Sequence, residues 1–296
     1  MPNAKLKNYL HLHVLVFIAG FTAILGKEIS IDSVPLVWYR MLIAMLLMFC
    51  YIKIIRLKIK VDKKTMFQFF GAGIIIALHW ITFFESINQA NVSIALAMFS
   101  TGAFFASFIE PLIFRRRILG FEILFGIVVI IGVFLITQSE IRYINGILLG
   151  ISSALFSTLF AVINGKFIVK HNATIISFYE FISGVFFISI FLVFKNEFSR
   201  EFFQLSSKDW LLLLILGSVC TAYAFIGAIH VMKQISPYTV ILSYNLEPIY
   251  GIAIALFLYP ETETMSPNFY YGAILILCTV ILDSVLKNRK KKKLNT

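Results

Sequence analysis

The feature that most constrains this chain is a series of apolar runs, each about as long as a lipid bilayer is thick. A helix needs about 20 apolar residues to cross a hydrocarbon core about 30 Å thick. Runs of that length follow one another from residue 10 to residue 286. Hydrophobic residues make up 59% of the chain and charged residues only 14%, a balance outside the range of water-soluble domains. The sequence therefore predicts an integral membrane protein whose solvent is the lipid bilayer.

Charged residues and turn signals divide these runs into ten predicted membrane-spanning helices, which defines an all-α integral membrane fold. The predicted spans cover residues 10–26, 34–52, 66–87, 92–114, 119–137, 143–165, 173–194, 210–232, 238–259 and 268–286. The cysteines Cys50, Cys220 and Cys278 all lie inside apolar runs. Their spacing predicts neither a disulfide nor a metal site.

The distribution of basic residues predicts the orientation of the chain. Twenty of the 26 Lys and Arg residues lie on the side of the N-terminus, five lie on the other side, and Arg40 lies within a span. Cytoplasmic segments of membrane proteins carry an excess of Lys and Arg. Both termini are therefore predicted to lie in the cytoplasm, with the spans in a cell (inner) membrane. This topology accounts for the net charge of +11, so no nucleic-acid partner is predicted.

The C-terminal basic run, residues 287–293, is interpreted as a topology anchor. Binding of this run to anionic lipid or to a partner is the alternative interpretation.

An internal repeat divides the chain into two halves, residues 1–137 and 143–296. Residues 21–27 match residues 160–166 at four of seven positions, at an offset of 139. At offset 145 Gln89 corresponds to Gln234, and at offset 146 Gly126 corresponds to Gly272. Each half holds five predicted spans. Because five is odd, the second half enters the membrane from the opposite side, which predicts two inverted five-helix repeats.

Several segments together resemble a known family. They are residues 21–27 and 160–166, Pro35 with Arg40, residues 77–80, residues 235–239 leading to Leu246, Glu247 and Pro248, then Glu261, Thr262 and Gly272. On these residues the chain resembles the EamA-type exporters of the drug/metabolite transporter (DMT) superfamily over nearly its whole length. The resemblance implies a ten-helix bundle with a central cavity that carries amino acids, related metabolites or drugs outward, without an ATP-binding domain or a cofactor. The chain departs from the family's pattern after span 4, where Arg115, Arg116 and Arg117 replace a frequent glutamate.

Ionisable side chains inside predicted spans are the first candidates for a functional site, because they are costly in lipid and usually face a cavity or a partner. They are Arg40, His79, Glu110, Glu180, Glu247 and Asp283. Glu247 is predicted near the middle of span 9 as a site for a substrate ammonium group or a proton. Tyr244 and Asn245 lie beside it. Because Pro248 has no backbone N–H, the carbonyl of Tyr244 lacks its helical hydrogen-bond donor. The alternative is a carboxylate that caps a neighbouring helix or pairs with a basic residue.

Aromatic and hydroxyl side chains at helical spacing predict a lined cavity between spans 3, 4, 6 and 9. In span 6 the polar stripe follows i, i+4 and i+11, and similar stripes occur in spans 3 and 4. The alternatives are hydrogen bonds across helices and close helix packing. The predicted substrate-binding residues are His79, Trp80, Phe83, Ser100, Thr101, Ser157, Phe160, Asn164, Tyr244, Asn245 and Glu247. By contrast, Gly217, Thr221, Ala224 and Ala228 predict a packing seam in span 8.

Arg40, Glu110 and Arg115 are predicted to form structural or gate-forming ion pairs. Arg40 lies about one turn inside span 2, where Glu28 or Asp32 is the expected counter-charge, and the alternative is that its side chain snorkels to the interface. Glu110 lies about one turn before Arg115. At offset 145 Glu247 corresponds to Gly102, so Glu110 is not its counterpart in the first half.

The sequence contains no metalloprotease, P-loop or serine-hydrolase motif, so no catalytic residue, metal or cofactor is predicted, and the chain is not interpreted as an enzyme. The predicted function is a secondary transporter that exports a small-molecule substrate by alternating access, with proton coupling and oligomeric state left open. One alternative is a passive facilitator of the same architecture. The other is a membrane-embedded enzyme or lipid-handling protein that uses Glu247 and His79.

Overall fold

The chain folds into a bundle of apolar helices. The computed structural model describes residues 2–115, 117–232, 243–244 and 246–294, and all regular structure within them is helical. The α-helices are α1 (Pro2–Glu28), α2 (Ser33–Ile54), α3 (Lys63–Gln89), α4 (Val92–Phe99), α5 (Gly102–Phe114), α6 (Gly120–Ser139), α7 (Ile144–Phe167), α8 (Ala173–Phe194), α9 (Ser207–Gly217), α10 (Ala224–Met232), α11 (Glu247–Leu258), α12 (Pro260–Glu263) and α13 (Pro267–Leu294). Short 3₁₀ turns cover Ile141–Tyr143 and Glu201–Phe203, and a π-helical turn covers Ser218–Tyr223.

Within the described residues, eight helical segments are long and apolar enough to cross a membrane. They correspond to the first eight predicted spans. At the positions of the last two spans the apolar helices are shorter, Glu247–Leu258 and Pro267–Asp283. The predicted ninth span begins outside the described residues. Lys233, residues 235–239 and Asn245 also lie outside them. The chain is therefore a multi-pass membrane protein.

Hydrogen bonds between distant turns define two ends of the bundle. At the far end, Ser30 binds Asp209 through its backbone N–H and its hydroxyl, and Ser266 N–H donates to Glu140. At the basic end, the Tyr179 hydroxyl donates to the carbonyl of Ile59. The far end contains the turns at residues 29–32, 90–91, 140–143, 195–206 and 259–266. The basic end contains the turns at residues 55–62 and 168–172, the described residues 115 and 117–119, and the end of α13.

Helix α3 lies at the centre of the bundle and packs against α7 and α8. Its start at the basic end is capped by Asp62, whose carboxylate accepts hydrogen bonds from the amide and the hydroxyl of Thr65. These hydrogen bonds lower the pKa of the Asp62 carboxyl group. Around α3, helix α2 packs on α8 and α9, α1 packs on α10 and α11, α4 and α5 pack on α7, and α6 packs on α13.

Three membrane-embedded segments depart from continuous α-helix. The predicted fourth span is interrupted at Ser100 and Thr101, whose hydroxyls donate to the carbonyls of Leu96 and Met98, and α5 restarts at Gly102. Span 8 contains the π-helical turn between α9 and α10. Helix α11 begins at Glu247 with Pro248 in its first turn, a position that proline favours because no N–H is needed there. The described helix α11 therefore starts at Glu247, and residues 243–244 before it are also helical.

A glycine sets the closest contact of α3 with α8. A Cβ atom on Gly73 would overlap the carbonyl oxygen of Glu180 and would lie 2.8 Å from the Cβ of Ser183. The Ser183 hydroxyl donates to the carbonyl of Phe70 at the same crossing. The absence of a side chain at Gly73 therefore lets the two backbones meet.

We expect Gly73→Ala to separate α3 from α8 and to lower the thermal unfolding midpoint of the purified protein, because overpacking a helix contact costs about 1–3 kcal/mol. Gly71→Ala is the matched control on the same helix, since a Cβ there has open space around it. Differential scanning fluorimetry in detergent measures both variants. Equal midpoints for the two variants would contradict this account of the crossing.

Candidate functional site

A cavity of about 420 Å³ lies inside the bundle. Residues from α1, α2, α3, α4, α7, α8, α10 and α11 and from the π-helical turn line it. Ile168 and Ala173, which flank the turn between α7 and α8, belong to the lining, so the cavity reaches the basic end. The far-end turns contribute no residue to the lining. Among the described residues the cavity lining therefore extends to the basic end and does not include the far-end turns.

The cavity brings together eight of the eleven predicted substrate-binding residues. These are His79, Trp80, Phe83, Ser157, Phe160, Asn164, Tyr244 and Glu247. Asn245 lies outside the described residues. Ser100 and Thr101 are buried away from the cavity, and their hydroxyls bond to carbonyls of the preceding turn. Among the described residues of span 4, only Phe99 lines the cavity.

Arg40 lies in the cavity wall with 3% of its surface exposed. Its guanidinium carbon is 4.0 Å from the centroid of the Trp80 ring, and Nε donates to the Thr221 hydroxyl at 2.8 Å. Nη1 has no hydrogen-bond partner among the described residues. The expected neutralisation by Glu28 is wrong, because that carboxylate binds Lys208 and the Tyr259 hydroxyl instead. Arg40 faces the cavity because Trp80 and Thr221 hold it there.

Thr221 was missed as a functional position by the sequence analysis, which places it in a packing seam. It is the first residue after Cys220 in the π-helical turn, and its hydroxyl donates to the carbonyl of Leu216, five residues back. The wider turn places the same hydroxyl oxygen where it accepts from Arg40. Ala224 and Ala228 of the predicted seam line the cavity. A π turn is a local feature that apolar periodicity does not reveal.

His79 is fixed by a contact across helices. Its Nδ1 lies 2.9 Å from the Ser153 hydroxyl and 3.1 Å from the Ser153 carbonyl on α7. Its ring stacks on Phe99 with a centroid distance of 5.4 Å and lies 6.1 Å from the ring of Phe83. The residue is 7% exposed. His79 therefore contributes an oriented aromatic face to the cavity and also forms the interhelical hydrogen bond that the sequence left as the alternative.

Glu247 and Arg40 are electrostatic partners across the cavity. Glu247 lies in the first turn of α11, which spans about 18 Å from there toward the far end at 1.5 Å per residue. Negative charge is favoured at a helix N-terminus, where the N–H groups point outward. The start of α11 therefore places a carboxylate at mid-depth in the bundle.

Glu180 also lines the cavity, although the sequence analysis does not select it as a site residue. It has no exposed surface, and among the described residues only the Asn164 side chain acts on its carboxylate as a hydrogen-bond donor, without regular hydrogen-bond geometry. The signal in the sequence is its position as an ionisable residue inside a predicted span. The sequence does not indicate the direction in which Glu180 faces, because α8 is apolar on every face and its rotation cannot be read from periodicity.

A polar cluster covers the far end of the bundle, and we call it the far-end latch: Lys27, Asn91, Tyr259, Thr262 and Glu263. Lys27 Nζ lies 2.7 Å from a carboxylate oxygen of the fully buried Glu263 and 4.2 Å from the centroid of the Tyr259 ring. The Asn91 amide donates to the carbonyl of Thr262. Burial and the hydrogen bond to Glu28 raise the pKa of the Tyr259 hydroxyl, so it stays a donor at neutral pH.

The latch also holds the start of α4. Glu263 accepts hydrogen bonds from the backbone N–H groups of Val92 and Ser93, at 3.2 and 2.8 Å, and the Asn91 side chain accepts from Ile94. A helix leaves its first N–H groups unsatisfied, and a carboxylate there also complements the helix dipole. One buried carboxylate thus joins α1, α4 and the turn after α11.

Glu110 and Arg115, predicted to form a structural or gate-forming ion pair, do not line the cavity. Glu110 lies on α5, and Arg115 ends that helix with a left-handed backbone at φ 54°. Within the described residues, no group of three His, Cys, Asp or Glu side chains is arranged to hold a metal ion.

Comparisons with known proteins agree with this architecture. The EamA-like transporter family matches residues 7–138 and 144–284. An uncharacterized transporter, YxxF, of Bacillus subtilis (strain 168) is 21% identical over 287 residues, which cover 94% of this chain and 89% of that one. An uncharacterized transporter of Clostridium kluyveri is 25% identical over 219 residues, covering 71% of this chain and 68% of that one. A solved crystal structure superposes with a TM-score of 0.65 at 11% identity over 95% of this chain and 98% of its own, a likeness in fold alone.

We expect Thr221→Val to lower the thermal unfolding midpoint, because loss of the acceptor for Arg40 leaves a second buried guanidinium donor unpaired. An unsatisfied buried donor costs about 1–3 kcal/mol. Thr279→Val is the control, since the hydroxyl of that buried threonine donates only within its own helix, to the carbonyl of Leu275. A shift no larger than that of Thr279→Val would argue against the role assigned to Thr221.

Proposed function

Because the chain belongs to the EamA-like transporter family, we propose that it is a secondary transporter that exports small metabolites by alternating access. The observation that carries this proposal is the central cavity, whose described lining extends to the basic end and includes none of the far-end turns. Amino acids and related small molecules fit a cavity of about 420 Å³. Pockets for small ligands commonly have this size, with apolar walls and a few polar groups that orient the ligand.

The basic end is proposed to face the cytoplasm, with both termini there. The excess of Lys and Arg at this end supports the orientation, because cytoplasmic segments of membrane proteins carry that excess. The cavity then opens to the cytoplasm, which is the side from which an exporter takes its substrate. The membrane is proposed to be the cell (inner) membrane.

Ten spans arranged as two inverted repeats, residues 1–137 and 143–296, are proposed as the architecture. Two observations support it. Helix contacts between the halves come in pairs that the repeat relates. The contact of α3 with α7 corresponds to the contact of α10 with α1. The contact of α4 and α5 with α7 corresponds to the contact of α11 with α1. Helix α5 restarts at Gly102 and α11 begins at Glu247, and these residues correspond at offset 145. Such discontinuous helices at matching positions are typical of transporter binding sites.

The residues proposed to contact substrate are those that converge on the cavity from separate helices. They are His79, Trp80, Phe83, Ser157, Phe160, Asn164, Tyr244 and Glu247, together with Arg40. Ser100, Thr101 and Asn245 are not included in this set. The structural or gate-forming ion pair of Glu110 with Arg115 stays a prediction. Aromatic rings provide the apolar contact area, and the polar groups among them orient the substrate.

The far-end latch is proposed as the gate that closes the exit side. Opening the far end requires Glu263 to release either Lys27 or the start of α4, because one carboxylate holds both. A buried ion pair is retained only while both partners stay together, since a lone buried charge is strongly unfavourable. The latch therefore has two defined states: one in which Lys27 and Glu263 are paired, and one in which both are solvated.

Transport is tested by counterflow of a labelled amino-acid mixture in proteoliposomes, with and without a pH gradient. We expect saturable exchange by the wild type and at least a tenfold lower rate for Glu247→Gln, because the neutral amide removes the charge that faces Arg40. Glu197→Gln, an exposed substitution in the 195–206 turn, serves as the matched control. Acceleration by a pH gradient would support proton coupling, whereas equal rates would favour a passive facilitator. Absence of exchange of any amino acid would contradict this substrate class.

The latch is tested with Cys220, a native cysteine in the cavity wall, after Cys50 and Cys278 are replaced by serine. A membrane-impermeant maleimide is added from the outside of intact cells. We expect Glu263→Gln to raise the labelling rate of Cys220 severalfold, because a neutral side chain releases Lys27 and opens the far end.

Glu261→Gln is the control for the latch experiment, since Glu261 is exposed and lies two residues away. Labelling is normalised to the total measured after unfolding in detergent. If both variants label Cys220 at the wild-type rate, Glu263 does not hold the gate closed.

A further inference from the structure

The charges in the cavity do not balance. Arg40 and Glu247 act on each other as electrostatic partners. Among the described residues no charged side chain acts on Glu180 in this way, and Asn164 acts on its carboxylate as a hydrogen-bond donor. With its acidic and basic groups ionised, the cavity therefore holds one negative charge that no described side chain offsets.

Glu180 is held rigidly in place. Its backbone carbonyl lies against Gly73 at the closest contact of α3 with α8, and one turn later Ser183 bonds to the carbonyl of Phe70. The residue lies about 10 Å from the start of α8, at 1.5 Å per residue, and therefore in the half of the cavity nearer the basic end. A substrate that enters from that end reaches Glu180 before it reaches Arg40.

Three buried acceptor atoms at this site make no hydrogen bond of regular geometry with the described residues, although the Asn164 side chain acts on the Glu180 carboxylate as a hydrogen-bond donor. They are both carboxylate oxygens of Glu180 and the Oδ1 atom of Asn164. Buried polar atoms are normally hydrogen-bonded, and each one left unpaired calls for an explanation. An isolated ionised carboxylate in an apolar environment is far more costly than a neutral polar group. A bound cation or a proton on Glu180 removes this cost, and a cation that carries N–H donors also pairs the acceptors.

A primary ammonium group has three N–H donors and one positive charge, which matches three acceptors and one uncompensated carboxylate. The remaining wall near this site is apolar or aromatic, with Phe160 about one turn from Asn164 and with Ile176 and Phe225 also in the lining. Aromatic faces also attract cations. A trimethylated ammonium has the same charge and no N–H donors, so it cannot form these hydrogen bonds.

We propose that Glu180 and Asn164 bind the ammonium group of a primary-amine substrate, whose apolar body lies against the aromatic wall of the cavity. This inference rests on the proposed transport function and assigns a substrate class to the same cavity. Glu247, which the sequence selects as the ammonium site, instead serves as the counter-charge of Arg40. The two carboxylates therefore have separate roles.

Binding to the full-length protein in lipid nanodiscs tests the proposal by isothermal titration calorimetry. The four probes share one aromatic body: 2-phenylethylammonium, trimethyl(2-phenylethyl)ammonium, 2-phenylethanol and 3-phenylpropionate. We expect the primary amine to bind the wild type at least tenfold more tightly than each of the other three. Glu180→Gln is expected to abolish this preference, whereas Glu247→Gln is expected to weaken binding without abolishing it.

Glu180→Asp is a second variant that retains the charge, and it should keep the preference for the primary amine at reduced affinity. Glu180→Gln should not lower the thermal unfolding midpoint, since it removes a buried charge at nearly constant volume, so a loss of preference is not a loss of fold. Equal binding of amine and alcohol, a preference that persists in Glu180→Gln, or no binding of any probe would overturn the proposal. Counterflow that continues in those cases would leave the transport function intact.

Discussion

The crossing of α3 over α8 at Gly73 is the contact on which the cavity depends. It brings two backbones together where a side chain would hold them apart, and hydrophobic burial does not drive such association in lipid. From this crossing α3 directs His79 and Trp80 toward the interior, and α8 directs Glu180 into the same space. Helix α7 completes the wall because Ser153 bonds to His79. The position of each cavity group thus follows from close packing of small residues.

The polar groups of the interior are positioned by one another, since no water in the hydrocarbon region can satisfy them. Arg40 is held by a ring face and by a hydroxyl that is available because the π-helical turn widens α9. The latch follows the same rule at the far end, where Glu263 replaces water at the start of α4. In both places a local departure from regular helix provides the donor or acceptor that the neighbouring charge requires.

Much of the fold could be predicted from the sequence, because membrane-spanning helices are recognised by length and apolarity alone. The convergence of His79, Asn164 and Glu247 was also predictable, since polar residues in spans turn away from lipid. The inward orientation of Arg40 and Glu180 was not. Helices such as α8 are apolar on every face, so no hydrophobic periodicity reports their rotation. The interruption at Ser100 and Thr101 and the π turn escaped prediction because they depend on hydroxyls that bond to their own backbone.

The uncompensated carboxylate has an electrical consequence for a carrier of this design. With Glu180 ionised and empty, the site carries a net charge of −1, and with a bound monovalent cation it is neutral. Moving one charge through the full membrane potential corresponds to about 2.3 kcal/mol per 100 mV, so in the proposed exporter an inside-negative potential would oppose the return of the empty site to the cytoplasmic side. The loaded site would be insensitive to that potential. Return would then be fastest when another cation, a proton included, replaces the exported one, which would favour exchange over net export.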